Sequence, residues 1–298
     1  MSKLFENTRR ELFKIYDDWT FHYLYGRETE DANQALMAVL NTILDRHSDP
    51  IVSIQIMNPD DYSEADTQKQ SSLDIKAKTS AGELVDVEVQ NGKLTHFGDR
   101  SVYYSAKMIN SSLDSGEDYV KMKKSIMIAI VNGKMFPDSE LLHTTFHYRE
   151  DKEHFLLSHK AEIHFIELSK VDPRKPVENM DPVEQFAAYV KYAGDPSKEK
   201  LLHDLIEHGG EAITMTEKIF KELTDEEKAY WHKEGVERKR RDDLSRLEEA
   251  RREGLQEGSS IGDASACRRI ARSMKSSGMP PEEIMKFTGL TAQEIKEL

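Results

Sequence analysis

Two neighbouring stretches of the chain alternate apolar and polar residues with period two. Leu73, Ile75 and Ala77 fall on one side of the first, with Asp74, Lys76 and Lys78 on the other. In the second, Val85, Val87 and Val89 point inward while Asp86, Glu88 and Gln90 point outward. This is the pattern of half-buried strands. The intervening Ser80-Ala81-Gly82 fits a three-residue hairpin loop, with Gly82 taking the left-handed backbone on which such a loop ends. Thr79 then faces Glu83, and counting down the ladder sets Asp74 opposite Glu88. Directly opposed residues lie with Cβ atoms roughly 4.5–5.5 Å apart, where like charges repel. Two facing carboxylates call for a cation between them, and a hard divalent ion with oxygen ligands suits the pair.

The rest of the chain parses around that hairpin. Leu4, Phe5, Leu12, Phe13, Ile15 and Tyr16 suggest a lead-in helix, and Leu36, Val39, Leu40 and Ile43 give one apolar stripe to a helix from about Glu30 to Arg46. Ile51–Met57 alternates as a first strand and Asn58-Pro59 breaks it. The segment from Leu94 to Ser115 reads as a helix whose core contacts include Tyr103, Ala106, Met108 and Ile109, with Gly116 at its end. Ser125–Val131 is a short continuous apolar run, as in a strand buried on both faces. Further strands are expected near His143–Arg149 and Glu162–Leu168.

Several residue patterns together resemble a known group. Leu73-Asp74-Ile75, Gly82, Val87-Glu88-Val89-Gln90, Arg100, Tyr104, Leu113, Gly116 and Tyr119 look like the Rpn recombination-promoting nucleases, often labelled transposases, of the PD-(D/E)XK nuclease superfamily. Asp18-Trp19-Thr20-Phe21, Leu24-Tyr25-Gly26, Leu40–Leu44 and Ile163–Lys170 fit the same group. The resemblance implies an α/β, restriction-endonuclease-like core of helix, three strands, helix and strand, with a C-terminal helical region. It implies Mg²⁺ (Mn²⁺ or Ca²⁺ in its place) held by Asp74, Glu88 and the backbone carbonyl of Val89, and DNA as the partner. Glu30, in the first turn of the early helix, matches the extra acid that this helix often supplies; a first turn that favours acids for its dipole explains it as well. Gln90 stands where the superfamily usually has Lys, as it does in the closer group. An amide orients a water by hydrogen bonding but neither adds charge nor acts as a base. Arg100 is the candidate clamp on a scissile phosphate, or the partner of an acid such as Asp99 or Asp86. Tyr104, one turn on, shares that face or fills the core.

Composition narrows the remainder. The chain has 298 residues, 38% hydrophobic and 33% charged. No run approaches the ~20 apolar residues of a membrane span, and the N-terminus has no signal-like run. The single Cys267 fits a reducing cytoplasm. A net charge of −13 opposes phosphate binding, so a DNA surface has to be local. That acidity, Gln90 and the tail's charge favour the alternative: a weak or inactive protein of the same fold that binds or oligomerises.

Four regions are expected: a nuclease-like core over 1–172, a helical extension over 173–232 after Pro173 and Pro176, a charged helical linker over 233–262, and a small three-helix tail over 263–298. Thr224 with Glu227 forms a capping box in the extension. In the tail, Pro280-Pro281, Gly289 and Thr291 punctuate three short helices in a helix-turn-helix-like arrangement. Glu294 and Glu297 outnumber Lys296 in the last one, which favours a partner-binding or homo-oligomerising tail with Arg268, Arg269, Arg272 and Lys275 as its basic face. His96, His143 and His147 receive no role.

Overall fold

The computed structural model describes residues 14–57, 75–91, 94–113, 115–222 and 266–298, with isolated helical positions between 237 and 251. The lead-in helix before Lys14, the 58–74 stretch with Asp74, the Thr224 box and most of the 233–262 linker lie outside the described residues. The chain divides into two units, residues 1–232 and 233–298.

The first unit carries a six-stranded sheet. Its strands are β1 (Ile54–Ile56), β2 (Ile75–Thr79), β3 (Leu84–Asn91), β4 (Ser125–Asn132), β5 (His143–Phe146) and β6 (Ala161–Glu167), in the order β1-β2-β3-β4-β6-β5. Helices α1 (Asp18–Tyr25) and α2 (Glu30–Ile43) precede the strands, and α3 (Phe97–Ser111) connects β3 to β4. Helix, three strands, helix, strand is the expected core order, and β5 and β6 extend the sheet as anticipated. The β2–β3 ladder pairs Ile75 with Val87 and Lys78 with Leu84, and the Thr79 amide donates to the Glu83 carbonyl at 3.0 Å. This is the predicted register, and Gly82 has a φ of +79° in its turn.

One face of the sheet packs into the main core. Val85, Val87, Ile126, Ile128, Ile130 and Ile166 meet α2 residues such as Leu36, Val39 and Leu40. The helices after Pro176 share that core: α4 (Pro182–Tyr192), α5 (Glu199–His208) and α6 (Glu211–Glu222) contribute Phe186, Leu205 and Ile213. Asp181 and Glu184 close a capping box at the start of α4.

The other face departs from expectation. Asp86 and Glu88 are 3% and 4% exposed, although alternation alone puts them outward. β3 and β4 run parallel, and a parallel pair needs a crossover that covers one face. Here α3 is that cover. Phe97 packs with Ala129, Val131 and Phe165, and Met108 with Leu84 and Met127. The helix's buried face also contains Ser101 and Ser105, whereas Tyr103 is 55% exposed and Ala106 is exposed as well. Small serines let α3 approach the sheet closely: the Ser125 hydroxyl donates to the Ser105 carbonyl at 3.3 Å. The helix stops at Ser111, with Ser112 as its cap, ahead of Gly116.

In the second unit, α7 (266–276), α8 (Pro281–Thr288) and α9 (Ala292–Glu297) enclose a small core of Ala271, Ile284 and Ile295. Gly289 caps α8 at a φ of +71°. Thr291 and Glu294 form the capping box of α9, as the sequence predicts. Lys275 donates to the Ile295 carbonyl at 2.8 Å and to that of Lys296 at 3.2 Å, and Arg268 lies 3.9 Å from Glu294. Half of the tail's expected basic face is therefore engaged within the tail, while Arg269 and Arg272 remain exposed.

Candidate active site

The site forms where the C-terminal half of β3 meets the first turns of α3. Glu88 lies opposite Ala129 and Gln90 opposite Val131, so both side chains emerge on the α3 face two residues apart. Arg100 sits one turn into α3, following His96, whose φ of +58° turns the chain into the helix. One guanidinium nitrogen, Nη2, donates to Glu88 Oε1 and also to Gln90 Oε1 at 2.8 Å. The guanidinium carbon stands 4.6 Å from the centre of the Phe97 ring, a cation–π contact with a buried aromatic. Arg100 thus pairs with Glu88, and neither Asp99 nor Asp86 is its partner. Asp99 stands 3.5 Å from exposed His96 instead.

The electrostatics follow from burial. Loss of solvent raises the Glu88 carboxyl to about 7; Arg100 opposes that rise, and Asp86 and Asp18 add to it. Burial likewise raises Asp86 to about 6, against the pull of Lys76, its cross-strand neighbour. Asp86 Oδ1 is buried without a hydrogen-bond partner. Among the described residues, this corner is therefore short of positive charge.

Asp18, the first residue of α1, acts on Glu88 through its charge. Asn91, the last residue of β3, donates to the Tyr16 carbonyl and reaches Asp18 Oδ1 at 3.5 Å, tying the start of α1 to the end of β3. Glu30 occupies a different setting: it is exposed in the first turn of α2 and accepts from Gln34 at 3.2 Å. The signal for Asp18 was the Asp18–Phe21 motif itself. Tyr104 is half-buried against the Leu84–Met108–Met127 cluster, one turn from Arg100. The β2 ladder is described up to Ile75, and Asp74 lies outside the described residues.

The oxygen donors of this corner suit a hard divalent cation. Glu88 is a buried carboxylate already drawn to a cation, and Asp86 has an unmet oxygen. Among the described residues, no group of three or more His, Cys, Asp or Glu side chains is placed to hold a metal.

A second charged cluster lies on the opposite face of the sheet, near its β5 edge. Glu162 Oε1 is 2.9 Å from Lys124 Nζ and 3.5 Å from His164 Nε2, while Glu162 Oε2 is 3.3 Å from His147 Nε2. Burial would raise Glu162, but the nearby His164 and Lys124 outweigh it and hold the carboxyl at about 2. His143 stacks on His164, with a ring nitrogen contact of 2.9 Å. Burial, reinforced by His164, lowers His143 to about 4. The sequence spacing does not bring these histidines together; strand pairing does.

Two family models match the chain. Residues 15–250 match the PD-(D/E)XK nuclease family transposase model. Residues 265–298 match the C-terminal helix-turn-helix domain of the Rpn/YhgA-like nuclease family. No curated protein and no solved structure matches the chain. No described helix is long and apolar enough to cross a membrane.

Proposed function

The chain belongs to the PD-(D/E)XK nuclease family of transposase-like proteins, and from that premise we propose a divalent-metal-dependent DNA endonuclease that hydrolyses phosphodiester bonds. The observation that carries the reading is the buried Glu88 at the end of β3, raised by burial and held by Arg100 beside Gln90. Asp74 and Glu88, which the sequence pattern sets opposite each other, are the two carboxylates that, with the Val89 carbonyl, would hold Mg²⁺, or Mn²⁺ or Ca²⁺ in its place. A bound divalent ion supplies an activated water and neutralises charge on the phosphate. The chain's residues do the rest. Gln90 orients the water through its amide, Arg100 neutralises a phosphate oxygen, and Tyr104 offers a hydroxyl on the same face. Asp18, whose charge reaches Glu88, is an alternative to Glu30 as the extra acid.

The helix-turn-helix architecture of the tail fits DNA docking, through exposed Arg269 and Arg272 more than through acidic α9. A second reading rests on that acidity: Glu294 and Glu297 on α9, together with the net charge of −13, suit a tail that oligomerises or binds a protein, on a core with weak or no turnover. Roles in recombination and a cytoplasmic setting fit either reading.

Cleavage of supercoiled and linear duplex DNA with Mg²⁺, Mn²⁺, Ca²⁺ or EDTA tests the proposal. Divalent-dependent nicking by the wild type, lost in Asp74→Ala and in Glu88→Ala, is the expected result. A folded wild type that cleaves nothing under any of these conditions would favour the binding protein.

A further inference from the structure

We propose that Arg100 is an exchangeable counter-cation: it fills the cation position on Glu88 and Gln90 in the metal-free protein and leaves it for a substrate phosphate. This rests on the reading of Glu88 as a metal ligand.

Three features of the geometry point to exchange. First, a single nitrogen, Nη2, serves both the Glu88 and Gln90 oxygens. Structural arginine–carboxylate pairs more often present two parallel N–H groups to one carboxylate. Here the guanidinium behaves as a point charge shared between two acceptors, as a small cation would. Second, the Arg100 side chain is 40% exposed while that of Glu88 is 5% exposed. The guanidinium reaches inward from the solvent side and has a way out. Phe97, beneath it at 4.6 Å, attracts the cation without fixing one orientation. Third, Arg100 Nε is buried without a hydrogen-bond partner in this arrangement. An unmet buried donor is a cost, and a phosphate oxygen would remove it.

Two cations cannot share Glu88 Oε1 at contact distance without strong repulsion. Arg100 must therefore quit Oε1 when a divalent ion binds that oxygen. Its freed guanidinium then lies one helical turn from Tyr104, facing the position of the substrate. Gln90 has a clear part in this arrangement: its carbonyl oxygen accepts from Arg100, which a lysine at that position could not do.

The test is calorimetric titration of Mn²⁺ into the full-length, DNA-free protein, for wild type, Arg100→Ala, Arg100→Gln and Glu88→Gln. Circular dichroism confirms folding, and Arg100→Gln serves if the alanine variant fails. The expected result is Mn²⁺ binding roughly ten- to a hundredfold tighter in both arginine variants, the range one charge-assisted hydrogen bond commands. In Ca²⁺, both variants bind a short duplex more weakly than the wild type. Damage to the fold would weaken metal binding, so tightening cannot come from that source. Unchanged or weaker Mn²⁺ binding in folded arginine variants, with binding abolished in Glu88→Gln, would overturn the exchange and leave the metal site standing. Tighter metal binding with unchanged duplex affinity would overturn the transfer to phosphate. No Mn²⁺ binding by any form would overturn both the exchange and the metal reading.

Discussion

Two carboxylates on opposite faces of one sheet, Glu88 buried and Glu162 half-buried, have opposite fates. Glu162 lies among Lys124, His147 and His164, and these neighbours hold it at about 2 despite partial burial. Glu88 lies beside Asp86 and Asp18 with Arg100 as its hydrogen-bonded cation, and burial lifts it to about 7. The first cluster is neutralised from within, as structural ionic groups in a folded protein usually are. The second is not. A buried acid left short of counter-charge lowers stability, and such sites recur where function demands them. The difference separates a structural cluster from a candidate active site without reference to any motif.

Breaking the comparison should have its largest effect on activity. Glu88→Ala is expected to lower divalent-dependent nicking by roughly 10²–10³-fold or more, the scale set by lost electrostatic stabilisation, whereas Glu162→Gln, if folded, should keep activity within a few fold. A plasmid-nicking assay reads both.

Stability should divide the two sites in the opposite sense. Glu162→Gln strands Lys124 and His164 without their carboxylate. The loss should be roughly 2–3 kcal/mol, below the ~3–5 kcal/mol for breaking a fully buried pair, because Lys124 retains some solvent. Urea unfolding at pH 7 measures it. Glu88→Gln should raise the metal-free midpoint under the same conditions, since it removes a destabilised charge.

Linkage gives the pH dependence. Glu88 binds its proton more tightly in the folded than in the unfolded state, so its contribution favours folding at low pH and is lost as pH rises from about 4.5 to about 7. Glu162 runs the other way. Its contribution is full above about 4.5 and disappears as pH falls toward about 2. Thermal melts in EDTA across pH 3–8 should therefore show a neutral-side decline that flattens in Glu88→Gln and an acid-side decline that flattens in Glu162→Gln.

The smallest expected effect is at Gln90. Gln90→Lys removes the oxygen that accepts from Arg100 and sets two cations side by side. A loss of about 1 kcal/mol, one net hydrogen bond, should appear in the unfolding midpoint of the metal-free protein.

Much of this was legible in the sequence because period-two alternation and Gly82 together fix the β2–β3 register, which the Thr79–Glu83 pairing bears out. The core order of helix, three strands, helix and strand was legible for the same reason. Alternation does not reveal which face a later element covers. Asp86 and Glu88 read as outward and are buried, on the sheet face that carries the crossover helix α3. The α3 face itself was misread at Tyr103 and Ala106, since close packing selects the serines Ser101 and Ser105 that apolar periodicity passes over. The pairing of Arg100 with Glu88, and the approach of Asp18, depend on where a crossover helix and an N-terminal helix come to rest. Those are tertiary facts that local spacing does not carry. The histidines at 143, 147 and 164 met only through the β5–β6 pairing.

The most direct test of the central claim is the thermal shift on adding Mg²⁺ or Ca²⁺ to EDTA-treated protein at pH 7.5, in wild type, Glu88→Gln and Glu162→Gln. The account predicts that the wild-type and Glu162→Gln midpoints rise with the divalent ion while that of Glu88→Gln stays fixed. An unmoved wild type, or a Glu88→Gln variant that gains as much as the wild type, would contradict it.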